Sequence, residues 1–561
     1  MSGQIGGLNG LIYIIHLESS LDTFTLISNK IMGLRNMITN DCDILLVGYE
    51  EWENLGLRSI ASFLAEHDIK VEIEPIKTSQ KDNILEGIRA KNPKIVGFSL
   101  IFQRMLFEFA DLIDFLRSNR ITVHFTMGGH FPTIEYKATL ESIPGLDSVV
   151  RGEGEETLLE LYNNLDRPNS WAHIKGIAYR DNGKIKATPA RPLLQNLDEL
   201  PFPIRSDFTM TQRGLGMSSI LGSRGCYYNC SFCSIRQFYR EMRGPKRRSR
   251  SPKNIVQEME QLFYDLNVRI FIFEDDDLGM RSRSQQRWVE DFVEELKKKE
   301  FSNKIMWRVS CRVDEIKAEL LRKMMEVGLI SVYTGIESGN AEGLKTYNKL
   351  YTLNDIYKTL EILKNLNLPF EFGFMILNPD STFARMNEDI VFLKEIGKSG
   401  QAVVHFTKMV PYTGTPIADR LKKEGKLTGT IASPDYNYED PRLESLQLFF
   451  TQAFHFRNFD NNGLVERLRH AKFDAIIQEK FFSDEYDSKS YSDRVRDLIR
   501  QSNEAALEKM SIAVKFMEKR SEEEILENWH FLDHLAREEK EIEWYITSTL
   551  NKVMTHYGFG Q

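Results

Sequence analysis

The chain has 561 residues, with 73 Lys and Arg against 81 Asp and Glu, a net charge of -8 and a pI of about 5.9. This acidic balance argues against a general nucleic-acid-binding surface. Hydrophobic residues make up 42%, which is enough for several buried cores and excludes global disorder. Five cysteines are too few for a disulfide-stapled secreted scaffold.

The sequence offers no signal for a membrane or for export. It contains no run of about 20 apolar residues, the length that a membrane-spanning helix needs. Its N-terminus lacks the basic and apolar regions of a signal peptide. We therefore expect no membrane span and a cytoplasmic location, with residues 1–40 forming an N-terminal extension without a clear hydrophobic period.

Short apolar strands alternate with helices across residues 41–165. The predicted strands are Ile44–Val47, Lys70–Ile76, Lys94–Leu100, Ile121–Met127 and Asp147–Val150. The predicted helices are Gly56–Glu66, Asn83–Arg89, Glu108–Asn119 and Glu155–Leu165. This alternation is typical of a parallel sheet that helices cover on both faces. We predict a doubly wound α/β domain that binds its ligand at the carboxyl ends of the strands.

Residues 166–215 are rich in proline and lose the period, so we predict a linker, with a hairpin turn at Asp181–Gly183. A second alternation starts near Ser219. Its predicted strands are Ser219–Gly222, Arg269–Phe273, Lys304–Val309, Ile330–Thr334, Phe370–Ile376 and Ala402–Phe406. Six such units predict a partial (β/α)6 barrel over residues 216–420. The charged, aromatic-rich residues 421–561 predict a C-terminal helical domain.

Three of the five cysteines lie close together as Cys226-x3-Cys230-x2-Cys233, just after the first barrel strand. Small core residues are the plainest explanation, but thiols rarely cluster in a loop for that purpose. A reducing compartment disfavours a disulfide, and zinc would need a fourth nitrogen or sulfur ligand nearby. Three thiolates on a [4Fe–4S] cluster would leave one iron open to another ligand, so we predict an iron–sulfur site.

This motif, with Phe232 before its last cysteine, resembles that of radical S-adenosylmethionine (SAM) enzymes. In that family the open iron chelates the amino and carboxylate groups of SAM, and an electron from the cluster cleaves SAM to methionine and a 5′-deoxyadenosyl radical. The resemblance covers residues 43–416 and implies a radical SAM barrel with a C-terminal domain of variable type.

Polar residues at the barrel strand ends resemble the SAM-binding groups of the family. The resemblance implies that Glu274 and Asp275 hold the SAM amino group and that Arg312 reaches its carboxylate. It also implies that Glu337 and Ser338 contact the ribose or the methionine moiety. The alternatives are an acidic loop that caps the next helix, a metal site at the acidic residues and a surface ion pair at Arg312.

The first domain is similar to the Rossmann-like cobalamin-binding domain fused to one branch of this family. The similarity implies that Ser99, Gly128 and Gly129 line the cleft for the nucleotide tail, with Gly152 and Glu153 near the corrin. Small residues at strand ends let a large flat ligand approach the backbone. Glu53 stands where related cobalamin domains carry a cobalt-ligating histidine, which implies cobalamin without a histidine lower ligand, or an empty domain.

Together these resemblances imply cobalamin-dependent C-methylation of an unactivated carbon. The alternatives are a radical cyclisation or rearrangement without methyl transfer and, in a different class, an iron–sulfur electron carrier or sensor. The substrate, a small molecule or a peptide, is not identified. A basic run follows the cluster motif and could dock an acidic flavodoxin or ferredoxin as electron donor, bind an anionic substrate or form a solvated loop; its members are Arg240, Arg243, Lys246, Arg247, Arg248 and Arg250.

Overall fold

A computed structural model describes residues 42–50, 53–76, 80–205, 210–212, 214–460, 462–483 and 487–558. The predicted N-terminal extension, 1–40, lies outside these residues. The described chain divides into two compact units. One contains residues 42–205 and 237–245, and the other contains residues 210–236 and 246–558.

The first unit is built on a seven-stranded sheet with the strand order β2-β1-β3-β4-β5-β6-β7. Its strands are β1 (Ile44–Gly48), β2 (Val71–Pro75), β3 (Ile95–Ser99), β4 (His124–Gly128), β5 (Ser148–Val150), β6 (Ile177–Asp181) and β7 (Lys184–Ala187). Its α-helices are α1 (Leu55–Ala65), α2 (Lys81–Lys91), α3 (Leu106–Ser118), α4 (His130–Ile134), α5 (Tyr136–Ser142) and α6 (Glu155–Asn163). Short 3-10 turns lie at Gln103–Met105, Pro168–His173 and Leu197–Glu199.

The doubly wound prediction is confirmed, because β1 to β5 are parallel and adopt the order 2-1-3-4-5. The strands form from apolar runs that are buried on both faces, such as Ile44–Val47. The predicted hairpin also forms, but it does not belong to a linker. It extends the sheet, since β6 pairs antiparallel with β5 and buries Ile177, Ala178 and Tyr179.

The second unit holds a sheet with the order β16-β15-β14-β13-β12-β9-β8. Its strands are β8 (Met210–Gln212), β9 (Leu215–Ile220), β12 (Val268–Phe273), β13 (Met306–Cys311), β14 (Leu329–Glu337), β15 (Phe370–Leu377) and β16 (Thr407–Lys408). All neighbours from β9 to β16 pair in parallel, which confirms the partial barrel. The antiparallel edge strand β8 was not predicted.

Helices follow most of the barrel strands. They are α7 (Ile235–Phe238), α8 (Pro252–Asp265), α9 (Arg283–Lys297), α10 (Ala318–Glu326), α11 (Ala341–Thr346), α12 (Leu353–Asn365), α13 (Phe383–Gly397) and α14 (Pro416–Lys423), with 3-10 turns at Ser302–Lys304 and Val313–Glu315. Two small ribbons accompany them, formed by β10 (Ser223–Arg224) with β11 (Arg248–Ser249) and by β17 (Leu427–Gly429) with β18 (Pro434–Tyr436).

The last barrel strand differs from its prediction. The apolar run 402–406 is buried but is not a strand, and the strand is the shorter Thr407–Lys408. Side chains of the C-terminal helices form hydrogen bonds with backbone groups of this run. Asn503 accepts a hydrogen bond from the Val404 N–H at 2.9 Å, and Arg457 donates to the Val404 carbonyl at 2.8 Å. These bonds replace the ladder that a strand would need.

The C-terminal helical prediction is confirmed by α15 (Arg442–Phe459), α16 (Leu464–Phe481), α17 (Ser488–Glu518), α18 (Glu522–Glu527) and α19 (Trp529–His556). Among the described residues, none of the helices combines the length and hydropathy that crossing a membrane requires. Two carboxyls of α19, Glu539 and Glu543, are only 1% and 2% exposed. Burial raises the pKa of Glu539 to about 7 and that of Glu543 to about 8, with Arg457 opposing both shifts.

These carboxyls predict a loss of stability at alkaline pH. A carboxyl whose folded pKa lies above its unfolded value stabilises the fold below the unfolded pKa and loses that contribution as the pH rises through the folded pKa. Glu543 alone should cost about 2 kcal/mol of unfolding free energy between pH 6 and pH 8. Denaturant titrations at several pH values would measure this, and Glu543→Gln should flatten the dependence. A wild-type protein equally stable at pH 6 and 9 would contradict the prediction.

Candidate functional site

The loop Cys226–Cys233 follows β9 and β10 at the carboxyl end of the barrel. Ser231, which follows Cys230, donates from its backbone N–H to the Tyr347 carbonyl at 3.0 Å and from its hydroxyl to the Thr346 carbonyl at 2.6 Å. The Ser231 carbonyl accepts from the backbone N–H of Ile417 at 3.0 Å. The end of β14's helix, α11, and the start of α14 therefore fix the loop from two sides.

All three cysteines of the loop are free and half-buried. Burial raises the pKa of the Cys226 and Cys233 thiols to about 12, with a smaller contribution from Asp276 at both thiols and from Asp277 at Cys226. Metal must therefore displace these protons on binding. In the described part of the chain, no three His, Cys, Asp or Glu side chains already converge on a single-ion site. A cubane cluster binds each cysteine at a different iron and does not require that convergence.

The acidic residues after β12 differ in whether their carboxylates already have hydrogen-bond partners. Both oxygens of Asp275 are used, one by the backbone N–H of Gly222 at 2.9 Å and the other by the Ser223 hydroxyl. Asp275 thus connects the ends of β12 and β9, and both of its carboxylate oxygens already accept hydrogen bonds from the protein rather than from SAM. The Glu274 carboxylate makes no hydrogen bond or ion pair with any residue that the structure describes, and burial raises its pKa.

Asp276, which the sequence analysis passed over, is solvent-accessible beside the cysteine loop and accepts from the backbone N–H of Gly225 at 3.2 Å. Surrounding protein and the neighbouring Asp275 raise its pKa to about 6. The spacing of Glu274 and Asp276 could have indicated it, because alternate residues of an extended chain share a face. We therefore regard Glu274 and Asp276 as the better pair of candidates for a SAM amino group.

Arg312 lies directly against the cysteine loop. Its guanidinium is 3.8 Å from the Cys230 sulfur and stacks on the Tyr228 ring at 3.5 Å from the centroid. Asp314 accepts from its Nε at 3.0 Å, and the Lys349 carbonyl accepts from its Nη2. The guanidinium is buried, so Arg312 does not form the surface ion pair considered above.

The neighbouring candidates Glu337 and Ser338 have different environments. Glu337 has a φ of +67° at an irregularity of the β14–β15 pairing, a strained conformation that is common at functional sites. Its carboxylate accepts from the Lys349 ammonium at 3.3 Å. Ser338 is fully buried and donates to Asp389 at 3.1 Å, while Asp389 also accepts from the Gly339 N–H at 2.6 Å. Ser338 therefore stabilises the turn after β14 through Asp389.

In the first unit, the predicted cobalamin residues Ser99 and Gly128 are register partners at the ends of β3 and β4. Gly129 follows with a φ of +113°, and a Cβ there would lie 2.3 Å from the Leu100 carbonyl oxygen. Only glycine fits this position. With these three small residues, few side-chain atoms project from the carboxyl ends of β3 and β4, next to β1. Sheets of this strand order bind ligands at that edge.

Gly152 is less open than predicted. Its φ is +84°, and a Cβ there would meet the Met242 sulfur at 2.6 Å. Met242 belongs to residues 237–245, which pack within the same compact unit as the first sheet. Protein therefore covers this face of Gly152, and a corrin near Gly152 and Glu153 would have to approach from another side.

Glu53, in place of the lower-ligand histidine, is buried in an ion pair with Arg205 at 2.9 Å. Its neighbour Glu50 forms a similar pair with Arg58 at 2.7 Å. Arg58 also donates to the Ile204 carbonyl at 3.1 Å, so the chain around 204–205 is fastened over the start of α1. The carboxylate of Glu53 is thus already engaged with an arginine.

The basic run after the cysteine loop is only partly a surface. Arg247, Arg248 and Arg250 are buried, which corrects the prediction of one continuous patch or solvated loop. Arg247 donates to the Asp277 carbonyl at 2.9 Å, and Arg250 pairs with Glu258 at 2.5 Å. Arg240 and Arg243 are exposed, and Lys246 is half-exposed.

Comparisons with known proteins agree with this division. The family model "B12 binding domain" matches residues 42–162, and "Radical SAM superfamily" matches residues 220–393. The "uncharacterized methyltransferase PH0819" of Pyrococcus horikoshii is 30% identical over 65% of this chain and 77% of its own length. The anaerobic magnesium-protoporphyrin IX monomethyl ester cyclase of Rubrivivax gelatinosus is 26% identical over 65% of this chain and 64% of its own.

Among solved structures, the cobalamin-dependent S-adenosylmethionine radical enzyme OxsB, with aqua-cobalamin and S-adenosylmethionine bound, superposes with a TM-score of 0.64. The match covers 92% of this chain and 80% of OxsB at 16% identity. At that identity the likeness concerns the fold alone.

The loop geometry predicts that Cys226, Cys230 and Cys233 are all required for iron binding. Replacing Cys233 with Ala should abolish the bound iron and the visible absorption of a reconstituted cluster, because a cubane held by two thiolates is not retained. Cys311→Ala is a matched control, since Cys311 is a buried thiol of β13 outside the loop. Iron retained by Cys233→Ala, or lost from Cys311→Ala in a folded protein, would refute the assignment.

The glycine pair after β4 predicts two different defects. Gly129→Ala should destabilise the protein by at least about 2 kcal/mol because it forces a strained φ and a backbone clash. Gly128→Ala places its Cβ 3.5 Å from the Val150 carbonyl oxygen, an ordinary contact, so the fold should survive while bound corrinoid falls. Thermal unfolding and corrinoid per chain measure both effects. Full corrinoid loading of Gly128→Ala would exclude this edge of the sheet as the cobalamin face.

Proposed function

Because the chain belongs to the family of radical SAM enzymes that carry a B12-binding domain, we propose that it is a cobalamin-dependent C-methyltransferase acting on an unactivated carbon. The observation that carries the proposal is the contact of Arg312 with Cys230, at 3.8 Å. It puts a cation for the SAM carboxylate beside the loop that would hold the cluster. The glycine-lined edge of the first sheet supplies the second cofactor site.

The donor set fits both cofactors. Three thiols in one fixed loop leave one iron of a [4Fe–4S] cluster without a protein ligand, as SAM chelation requires. When bound, the cluster supplies the electron that cleaves SAM to methionine and a 5′-deoxyadenosyl radical, and cobalamin carries the methyl group. We assign Glu274 and Asp276 to the SAM amino group, Arg312 to its carboxylate and Glu337 to its ribose or methionine moiety.

The remaining task of these side chains is to orient and to exclude water. The ring centroids of Tyr228 and Tyr351 lie 3.5 and 5.0 Å from the guanidinium carbon of Arg312. The guanidinium therefore packs against aromatic rings rather than solvent. Gly373 makes room across the strand, since a Cβ there would lie 2.5 Å from the Tyr333 hydroxyl and 3.1 Å from Glu337. Such packing keeps a radical away from quenching solvent.

The overall change consumes two SAM molecules and two electrons. The 5′-deoxyadenosyl radical from one SAM takes the hydrogen atom from the substrate carbon and becomes 5′-deoxyadenosine, and methionine is the other product. The other gives S-adenosylhomocysteine, and its methyl group replaces that hydrogen. We propose that a flavodoxin or ferredoxin in the cytoplasm supplies the electrons. It would dock on a surface of this chain that includes the exposed Arg240 and Arg243. The substrate is a small molecule or a peptide.

A radical cyclase without methyl transfer is the second candidate, since one relative is named as a cyclase. The two functions differ in their products. A methyltransferase consumes SAM in both ways, whereas a cyclase releases no S-adenosylhomocysteine. An iron–sulfur carrier would cleave no SAM at all, and it would have no use for Glu337 in a strained conformation at the end of β14.

The proposal predicts the products of SAM under a strong reductant. Cobalamin-loaded enzyme should release both 5′-deoxyadenosine and S-adenosylhomocysteine, whereas cobalamin-free enzyme should release only the former. Liquid chromatography with mass spectrometry measures both, with Cys233→Ala as the blank. No S-adenosylhomocysteine from the loaded enzyme would favour the cyclase. S-adenosylhomocysteine that does not depend on cobalamin would contradict cobalamin-dependent methylation, and no 5′-deoxyadenosine would contradict both radical functions.

A further inference from the structure

The segment 346–351, between α11 and α12, holds the cysteine loop and carries an unusual lysine. The Asn348 amide donates to the Asn229 carbonyl at 2.7 Å, in addition to the bonds that Ser231 makes to this segment. Both Asn348 and Leu350 have left-handed backbones, with φ of +52° and +62°. Between them lies Lys349, which is only 5% exposed.

Strain on both sides of one buried charge indicates that the fold specifies the place of that charge. A non-glycine residue in the left-handed region is strained and persists only where its surroundings require it. A buried ammonium is unfavourable unless it is paired. Lys349 is paired with Glu337, whose own backbone is strained at a φ of +67°.

Lys349 connects two candidate SAM ligands with the cysteine loop. Its ammonium donates to Glu337 at 3.3 Å, and its carbonyl accepts from Arg312. The same ammonium is 5.6 Å from the ring centroid of Phe232, the residue before Cys233. No other residue of the described chain bonds both Glu337 and Arg312.

Charge is distributed unevenly around the three thiols. Arg312 and Lys349 lie on the side of Cys230, since the Arg312 guanidinium is 3.8 Å from the Cys230 sulfur and also donates to the Lys349 carbonyl. A carboxylate lies on the side of Cys226, since Asp276 accepts a hydrogen bond at 3.2 Å from the backbone N–H of Gly225, the residue before Cys226. A cluster in this loop would have a cationic side at Cys230.

We propose that Lys349 is a positioning residue that holds Glu337 for SAM and raises the reduction potential of the cluster. The proposal rests on the cluster assigned above and goes beyond it. An added electron near a buried cation is stabilised because the low dielectric constant of the interior leaves their attraction poorly screened. The Lys349–Glu337 pair is neutral as a whole, so removing either member should move the potential, and in opposite directions.

The test is a redox titration of the reconstituted cluster without SAM, followed by electron paramagnetic resonance. At a fixed potential, Lys349→Met should lower the ratio of reduced to oxidised cluster about tenfold, or 59 mV for one electron. Glu337→Gln should raise the ratio. Lys349→Arg should stay near the wild type, as should the control Lys345→Met, whose side chain is 80% exposed on α11.

The positioning role has its own readout. The SAM concentration that half-converts the spectrum of the reduced cluster should rise about tenfold in Lys349→Met, because Glu337 is no longer held. The proposal would be overturned if Lys349→Met binds a normal cluster and has the same reduction potential and the same SAM titration as Lys345→Met. Should Lys349→Met fail to bind iron, an unchanged potential in Glu337→Gln would overturn the electrostatic part. A wild type without iron would instead refute the cluster assignment itself.

Discussion

Three cysteines can bind three of the four irons of a cubane, and this shortfall organises the carboxyl end of the barrel. The loop Cys226–Cys233 must be rigid enough to present three thiolates and open enough to admit a ligand at the fourth iron. Backbone bonds from Ser231 to the segment 346–351 and to the start of α14 meet the first requirement. Arg312 lies beside this loop, with its guanidinium 3.8 Å from the Cys230 sulfur.

The two sheets answer different demands with the same principle. In both, ligand-binding groups follow the carboxyl ends of parallel strands, where loops are free to vary without disturbing the core. The first sheet has no side chains at Gly128 and Gly129, where β4 ends. The barrel instead has charged side chains at its strand ends, and Glu337 there is paired with Lys349.

The sequence predicted both sheets, since the alternation of apolar strands and helices determines their topology, and spacing alone identified the cysteines. It predicted the site residues less well because the face on which a side chain lies depends on local pairing. Asp275 and Ser338 match family positions, yet their polar atoms are used by Ser223 and Asp389. Lys349 was missed because its role depends on an unpredicted left-handed turn, and 402–406 was mistaken for a strand because distant side chains take its backbone bonds.

The central claim is that one chain binds cobalamin and an open iron–sulfur cluster, with Glu53 committed to Arg205 rather than to cobalt. The most direct measurement is the electron paramagnetic resonance spectrum of the Co(II) corrinoid in protein purified anaerobically from cobalamin-fed cells, with corrinoid and iron quantified per chain. The account predicts near-stoichiometric corrinoid, a loaded cluster and a cobalt signal without nitrogen splitting from a histidine ligand. Nitrogen splitting from the protein, or a SAM-cleaving cluster without corrinoid, would contradict it.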